Sequence, residues 1–161
     1  MTRAYLAVLA ALILAVACAP VGRGSPQPAD PMATAMLMAV NAARAEPRAC
    51  GAEAFPAAPP LRLNARLSVA AQAHSEDMRA MGALTHTGSD GSDVVRRAER
   101  QGYAWSRLAE NVAWAYEDVP GVVAGWLGSP GHCRNIMSAD HVELGVGRAG
   151  AYWTQVFGAP R

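Results

Sequence analysis

Apolar residues recur at steps of three and four in two long stretches of the chain, the spacing that places them on one face of an α-helix. The first predicted helix covers residues 32–45, with Asp30 as N-cap and Pro31 at the first helical position. Pro47 ends this helix because proline has no backbone N–H. The apolar stripe consists of Met32, Met36, Val40 and Ala43, widened by Leu37.

The second predicted helix covers residues 64–81, with Asn64 as N-cap and Gly82 as C-cap. Its apolar stripe consists of Leu67, Ala71, His74, Met78 and Met81. Because His74 lies on this face, we expect a buried, hydrogen-bonded histidine at that position in preference to a ligand.

Turn-forming residues separate these helices from the elements that follow. Residues 50–60 are rich in proline and are predicted to be a loop. The apolar run 112–115 is compatible with either a helix or a strand. Two shorter helices are predicted, one capped by Ser92 or Asp93 and ending at Gln101, the other over residues 119–127.

The pattern changes near the C-terminus, where β-branched and aromatic residues predict two strands. The strands cover residues 143–148 and 152–157, and Gly150 between them indicates a tight hairpin. Helices come first and strands last, so the predicted fold class is α+β, without an alternating βαβ sheet.

The first residues carry the features of a leader. Arg3 provides a positive charge, residues 5–16 form an apolar run, and Ala15 and Ala17 are the small residues that a signal peptidase requires. The run is too short to remain as a membrane-spanning helix. We therefore predict a signal peptide over residues 1–17 and an exported mature protein.

Cys18 follows the predicted cleavage position directly. Residues 14–18 resemble a bacterial lipobox, in which this cysteine carries a lipid, although Ala15 stands where leucine is usual. The alternatives are a cell-envelope lipoprotein and a secreted or periplasmic protein. Residues 18–31 are rich in proline and glycine and are predicted to be a tether, followed by one domain over residues 32–161.

If Cys18 is lipidated, Cys50 and Cys133 are the two remaining cysteines. Export to an oxidising compartment favours a disulfide between them. Zinc binding by the pair is the weaker alternative, because neither cysteine belongs to a Cys-x-x-Cys unit.

The charge balance excludes one class of partner. Fourteen basic residues, all arginine, and thirteen acidic residues give a formal net charge of +1, so no basic footprint for nucleic acid is present. Arg96, Arg97 and Arg100 recur at helical spacing and are predicted to form a solvated face.

Residues 129–137 combine a turn signal with chemically active side chains. Ser-Pro-Gly interrupts the preceding apolar run, and His132 and Cys133 follow directly. A side chain just after such a break is held in place near the surface, where binding and catalysis usually occur. An ordinary turn with a surface histidine is the alternative, and His141, in a later polar connection, is predicted to be a surface residue of that kind.

Five short motifs occur in an order that resembles the CAP superfamily of cysteine-rich secretory proteins, antigen 5 and pathogenesis-related proteins. The likeness is to its bacterial branch, where Ser-Pro-Gly-His followed by Asn-Ile-Met is typical, and it covers residues 32–157. The motifs are His86-Thr87-Gly88-Ser89-Asp90-Gly91, Glu110-Asn111-Val112-Ala113, Trp126 with Ser129-Pro130-Gly131-His132, Leu144-Gly145-Val146-Gly147, and Tyr152-Trp153-Thr154-Gln155-Val156-Phe157.

The resemblance implies a three-layer α-β-α sandwich with a central cleft. Eukaryotic members gather two histidines and two acidic residues in that cleft, and His86 and Glu110 match one of each. Ser129 takes the place of the second acid, and Tyr152 takes the place of the second histidine. His132 belongs to the bacterial turn motif and is expected to reach the same cleft by another route.

Two imidazoles and one carboxylate can form a three-ligand zinc site with an open position, so His86, His132 and Glu110 are candidate metal ligands. A hydrogen-bonded His/Glu cluster that holds loops together is the alternative. Ser129 beside His132 makes a serine nucleophile conceivable, but no Gly-x-Ser-x-Gly motif is present, and catalytic residues are left unassigned.

Three functions follow from these residues. The first is a non-catalytic exported module that binds a metal, a lipid, a small molecule or a cell-envelope component through the cleft. The second is a metal-dependent, peptidase-like hydrolase that uses His86, Glu110 and His132. The third is a mainly structural envelope lipoprotein, which contacts the membrane only through its N-terminal lipid.

Overall fold

The computed structural model of this chain describes residues 30–161. The predicted signal peptide, Cys18 and residues 19–29 of the predicted tether lie outside the described residues. Within that range the helices are α1 (Pro31–Arg44), α2 (Ala65–Met81), α3 (Val94–Arg100), α4 (Val119–Gly128) and α5 (Pro130–Met137). The strands are β1 (Arg48–Cys50), β2 (Glu53–Phe55), β3 (Arg62–Leu63), β4 (Trp105–Trp114), β5 (Glu143–Ala149) and β6 (Tyr152–Pro160).

Local capping signals set the ends of the long helices, as the sequence predicts. The Asp30 carboxylate accepts a hydrogen bond from the Met32 N–H at the start of α1, and Asn64 accepts two at the start of α2. Gly82 ends α2 in the left-handed conformation at φ 65°, which glycine adopts without a steric penalty. The predicted bounds of both helices are confirmed to within a residue or two.

The central sheet has the strand order β3-β5-β6-β4. β3 runs parallel to β5, and the other neighbouring pairs are antiparallel. The β5–β6 pair is the predicted hairpin, with Gly150 in its turn at φ 60°. The apolar run 112–115, which is compatible with a helix or a strand from its sequence, is mostly strand. Residues 112–114 are the end of β4, which lies at one edge of the sheet.

Helices cover both faces of this sheet. α2 packs on β5 and β6 with α3 beside it, whereas α1, α4 and α5 form the opposite layer. The larger apolar core includes Met36, Trp126 and Phe157 and lies under α1, α4 and α5. A smaller core around Leu67 and Tyr103 lies under α2 and α3. The predicted α-β-α sandwich of the α+β class is therefore confirmed.

Two segments differ from the prediction. Residues 50–60 were expected to be a loop, but β1 and β2 form a short hairpin there, in which Gly51 turns the chain at φ 67°. At the predicted turn, Ser129 ends α4 and α5 begins directly at Pro130, so the break between the two helices is a single residue. Proline is well suited to the first position of a helix, so the same Ser-Pro-Gly signal starts a helix here.

A disulfide joins Cys50 to Cys133, with the two Cα atoms 5.4 Å apart. This pairing confirms the prediction from the cysteine count. It ties the β1–β2 hairpin to α5, and both sulfur-bearing residues are buried. None of the described helices combines the length and apolar character that crossing a bilayer would demand.

Candidate functional site

Glu110 and His86 meet at the edge strand of the sheet. His86 lies on the loop after α2, and its Nδ1 is 2.9 Å from Oε1 of Glu110. The Glu110 side chain is buried, whereas the His86 side chain is 59% exposed. The hydrogen bond to this carboxylate raises the pKa of His86, outweighing the opposing effect of partial burial. The buried acid therefore orients an imidazole that solvent can reach.

Arg97 is the cation that stabilises this buried carboxylate. Its Nη2 lies 2.7 Å from Oε2 of Glu110, and the guanidinium also donates to the carbonyl groups of His86 and Ser92. The predicted solvated arginine face is therefore wrong at Arg97, which is only 6% exposed. A periodicity argument could have found it, because Val94, Arg97 and Ala98 share one stripe of α3.

His74 completes the surroundings of Glu110 from α2. It is fully buried, as predicted, and its Nε2 donates to the Thr85 carbonyl at 2.8 Å. The same nitrogen lies 3.8 Å from Oε1 of Glu110, while Nδ1 has no hydrogen-bond partner within the described part of the chain. Burial lowers the pKa of His74, so its neutral form is favoured.

Asn111, the residue after Glu110, joins the sheet to α5 through its side-chain amide. Neighbouring residues of a strand point to opposite faces, so Glu110 points toward α2 and α3 and Asn111 points toward α5. The Asn111 amide donates to the His132 carbonyl and to Gln155, and Asn135 of α5 donates to Asn111 Oδ1 at 2.8 Å. This amide network fixes α5 to the sheet, and the sequence analysis assigned it no role.

His132 and Ser129 lie beside an apolar cavity of about 280 Å³ at the same edge. Neither side chain forms a hydrogen bond with any other group in residues 30–161. Burial and the nearby charge of His86 lower the pKa of His132. The cavity is lined by Leu84, Val112, Ala113, Trp114, Tyr116, Gly125 and Trp126 together with these two residues.

The arrangement of Glu110 does not fit a zinc ligand. Both carboxylate oxygens already accept hydrogen bonds, and one of the donors is an arginine cation that would repel a metal ion. Among the described residues, no group of three or more His, Cys, Asp or Glu side chains is arranged to hold a metal. His86 and Glu110 are in contact, but His132 does not join them as a third ligand.

His141 is not the surface residue that the sequence predicts. It is 7% exposed, and its ring stacks on Phe157 with 5.6 Å between the ring centroids. Burial, reinforced by the Arg44 cation, lowers its pKa to about 4. Arg44 itself is fully buried and holds the surrounding loops by donating to four carbonyl groups, those of Pro59, Ile136, Ser138 and His141.

Comparison with known proteins identifies the class. The chain belongs to the CAP family, the cysteine-rich secretory protein family, whose model matches residues 37–157. Two uncharacterized proteins of Bacillus subtilis strain 168 are similar. The membrane protein YlbC is 36% identical over 84 residues, or 52% of this chain, and YkwD is 30% identical over 100 residues, or 61% of this chain. The chain spans 24% and 39% of these two relatives.

Solved structures show the same fold. An extracellular protein from Bacillus anthracis that contains an SCP domain is 28% identical with a TM-score of 0.61, covering 63% of this chain and 34% of that protein. An outer surface protein from Borrelia burgdorferi has a TM-score of 0.60 at 21% identity, over 65% of this chain and 80% of that one. At this identity the second likeness concerns the fold alone.

Proposed function

We propose that this chain is an exported CAP domain that binds a cell-envelope ligand through the cleft beside His86 and His132 without transforming it. The observation that carries this proposal is the state of Glu110. It is buried, and His86 and Arg97 occupy both of its oxygens. A buried carboxylate with a donor on each oxygen orients the imidazole of His86, and the arginine cation beside it opposes the approach of a metal ion.

The neighbouring cavity supports binding as the role of the cleft. Its walls are mainly apolar and aromatic, and its polar groups include the Ser129 hydroxyl, the Tyr116 hydroxyl and the His132 ring. Few polar groups within an apolar concave surface are typical of small-molecule sites. Ser129 occupies the position of the second acidic residue of eukaryotic family members. This replacement argues against a mechanism that needs two carboxylates.

Export is supported by the predicted leader, by the disulfide and by the extracellular setting named for the Bacillus anthracis neighbour. A lipid on Cys18 would hold the domain at a membrane surface, and plain secretion is the alternative. Mass spectrometry of the mature N-terminus separates them. We expect a diacylglyceryl adduct on Cys18, and an unmodified N-terminus would contradict the anchor.

Cosedimentation of the full exported protein with isolated peptidoglycan sacculi and with phosphatidylglycerol vesicles tests the binding function. We expect the wild type to sediment with one of them and the His86→Ala, His132→Ala double variant to bind at least tenfold more weakly. Met38→Ala, a change on the exposed side of α1, is the control and keeps wild-type binding. All three proteins carry Cys18→Ser, so that an N-terminal lipid does not anchor them in the vesicles and mask binding through the cleft. Equal binding by the double variant, or no binding by the wild type, overturns the proposal.

The hydrolase alternative, with His86, Glu110 and His132 around zinc, is tested by calorimetry. Zinc titrated into the wild type and into the His86→Ala, His132→Ala double variant should give the same heat if these residues hold no metal. A saturable signal in the wild type that the double variant lacks would favour the metal interpretation over the one proposed here.

A further inference from the structure

Trp114 presents an aromatic face to solvent at the rim of the cleft. It is the last residue of β4 and is 54% exposed, the only exposed tryptophan, tyrosine or phenylalanine among residues 30–161. Tyr152 lies directly opposite on β6, with 6.4 Å between the ring centroids and a 42° tilt. Cross-strand neighbours of this kind stabilise each other's orientation, so the indole is held in place while one side remains open.

The backbone beside this tryptophan is strained. Ala115 has φ 68°, the only positive φ of a residue other than glycine in the described part of the chain. This conformation costs an alanine roughly 1–2 kcal/mol. The Ala115 N–H donates to the Ala151 carbonyl at 3.1 Å, which keeps the turn closed next to the Trp114–Tyr152 pair. Strain of this kind concentrates at ligand-binding positions.

The cavity next to Trp114 offers two kinds of surface. The indole, Leu84 and Trp126 form apolar walls, while the Ser129 hydroxyl and the His132 ring form no hydrogen bond within the described residues. Covering those polar groups with a purely apolar ligand would leave them desolvated, at a cost of about 1–3 kcal/mol each. The complementary ligand therefore carries a flat apolar face and a hydroxyl-bearing edge.

We propose that Trp114 is a stacking platform for a sugar ring, and that the ligand of the cleft is a cell-envelope glycan. This inference rests on the proposed binding function and names its ligand class. The C–H face of a pyranose packs on the indole through dispersion and weak C–H contacts with the ring. The hydroxyl and amide groups of the sugar then form hydrogen bonds with His132 and Ser129. An acyl chain has no flat face for the indole and no partner for these two polar groups.

Calorimetric titration of the full exported protein tests the platform with two probes, triacetylchitotriose as the glycan and sodium laurate as the acyl chain. We expect the wild type to bind the trisaccharide and Trp114→Ala to bind it at least tenfold more weakly. Trp114→Phe, which keeps an aromatic face, should lose less. Trp105→Phe is the matched control, because Trp105 lies at the opposite end of the same strand and should leave the affinity unchanged.

Saturation-transfer NMR on the wild type gives a second measurement that does not depend on the folding of Trp114→Ala. We expect the strongest transfer to the ring C–H protons of one sugar unit, and uniform transfer along the trisaccharide would contradict stacking. Trisaccharide binding that Trp114→Ala leaves unchanged overturns the platform. If laurate binds in a Trp114-dependent manner and the trisaccharide does not, the glycan class is wrong while the binding function stands. If the wild type binds neither sacculi nor vesicles, both the sugar platform and the proposed binding function are wrong.

Discussion

Glu110 joins side chains from three separate parts of the chain, and its environment decides what each can do. Arg97 balances its charge, His86 extends from it into solvent, and the buried His74 closes its surroundings. A buried carboxylate without a cation is strongly destabilising, so the ion pair with Arg97 is a condition for keeping an acid at this position.

Replacing Arg97 by methionine should lower the free energy of unfolding by about 3–5 kcal/mol, because Glu110 would remain buried without its cation. Urea denaturation measures the change. The double variant Arg97→Met, Glu110→Gln should recover part of the loss, since it removes the unpaired charge. A change below about 1 kcal/mol in the single variant would indicate a solvated arginine, as at most surface positions.

Glu110→Gln should lower the pKa of His86, because the carboxylate hydrogen bond raises it in the wild type. The stability that this pair contributes is fully present below the pKa of an unfolded histidine and is lost as the pH rises through the raised folded value. NMR titration of the imidazole protons measures the pKa in both proteins. His86 is more than half exposed, so the stability change is small, and an unchanged pKa would contradict the pairing.

His141 makes the fold acid-sensitive. Its folded pKa of about 4 lies below the ordinary value of 6.5. Between these two pH values the unfolded chain binds a proton at His141, whereas the folded chain does not. Stability from this group is therefore lost as the pH falls from 6.5 toward 4, by at most about 3 kcal/mol. Urea denaturation across this range should show a shallower pH dependence in His141→Gln. Because His74 is shifted in the same direction, part of the dependence should remain.

At the scale of elements, the contact between α2 and β5 determines how close the helix lies to the sheet. A Cβ atom on Gly147 would lie 2.3 Å from the Ala71 carbonyl carbon, and one on Gly145 would lie 2.1 Å from that of Leu67. In the Leu-Gly-Val-Gly motif, Leu144 and Val146 thus point into the larger core on one face of β5. Gly145 and Gly147 face α2 on the other side, where the lack of a side chain allows the helix backbone to come close.

Gly147→Ala should therefore lower the free energy of unfolding by about 1–3 kcal/mol, because α2 must move away from the sheet. Gly131→Ala is the matched control. Its Cβ meets open space within α5, where alanine is the better helix former, so stability should be unchanged or slightly increased. Thermal denaturation compares the two, and equal midpoints would show that the close approach of α2 is not needed for stability.

Across the whole molecule, the disulfide links the hairpin after α1 to the helix that carries His132. The two cysteines are 83 residues apart in sequence. Replacing both with alanine should lower the free energy of unfolding by about 4–5 kcal/mol in the chain-entropy model. Guanidinium denaturation of the oxidised protein and of the double variant measures the difference. A loss below about 1 kcal/mol would mean that the unfolded chain is already constrained or that the native bridge adds little.

The sequence alone determined the elements whose signals are local. The caps of α1 and α2, the hairpin at Gly150 and the short motifs of the CAP family depend on residues a few positions apart, and all of them were predicted. The pairing of Cys50 with Cys133 was also predicted, on the condition that Cys18 carries a lipid and leaves these two for the oxidising compartment.

Only the tertiary structure decided which polar residues are buried and what they contact. His141 appears exposed from its neighbours in sequence, yet Phe157, more than ten residues away, covers its ring. The stripe that Arg97 shares with Val94 and Ala98 indicates burial, but not that its partner is Glu110 on β4. The exposed face of Trp114 and the strain at Ala115 likewise depend on strand pairing with β6. Burial and ion pairing are properties of long-range packing, so local periodicity identifies the elements of this domain but not the partners that form its cleft.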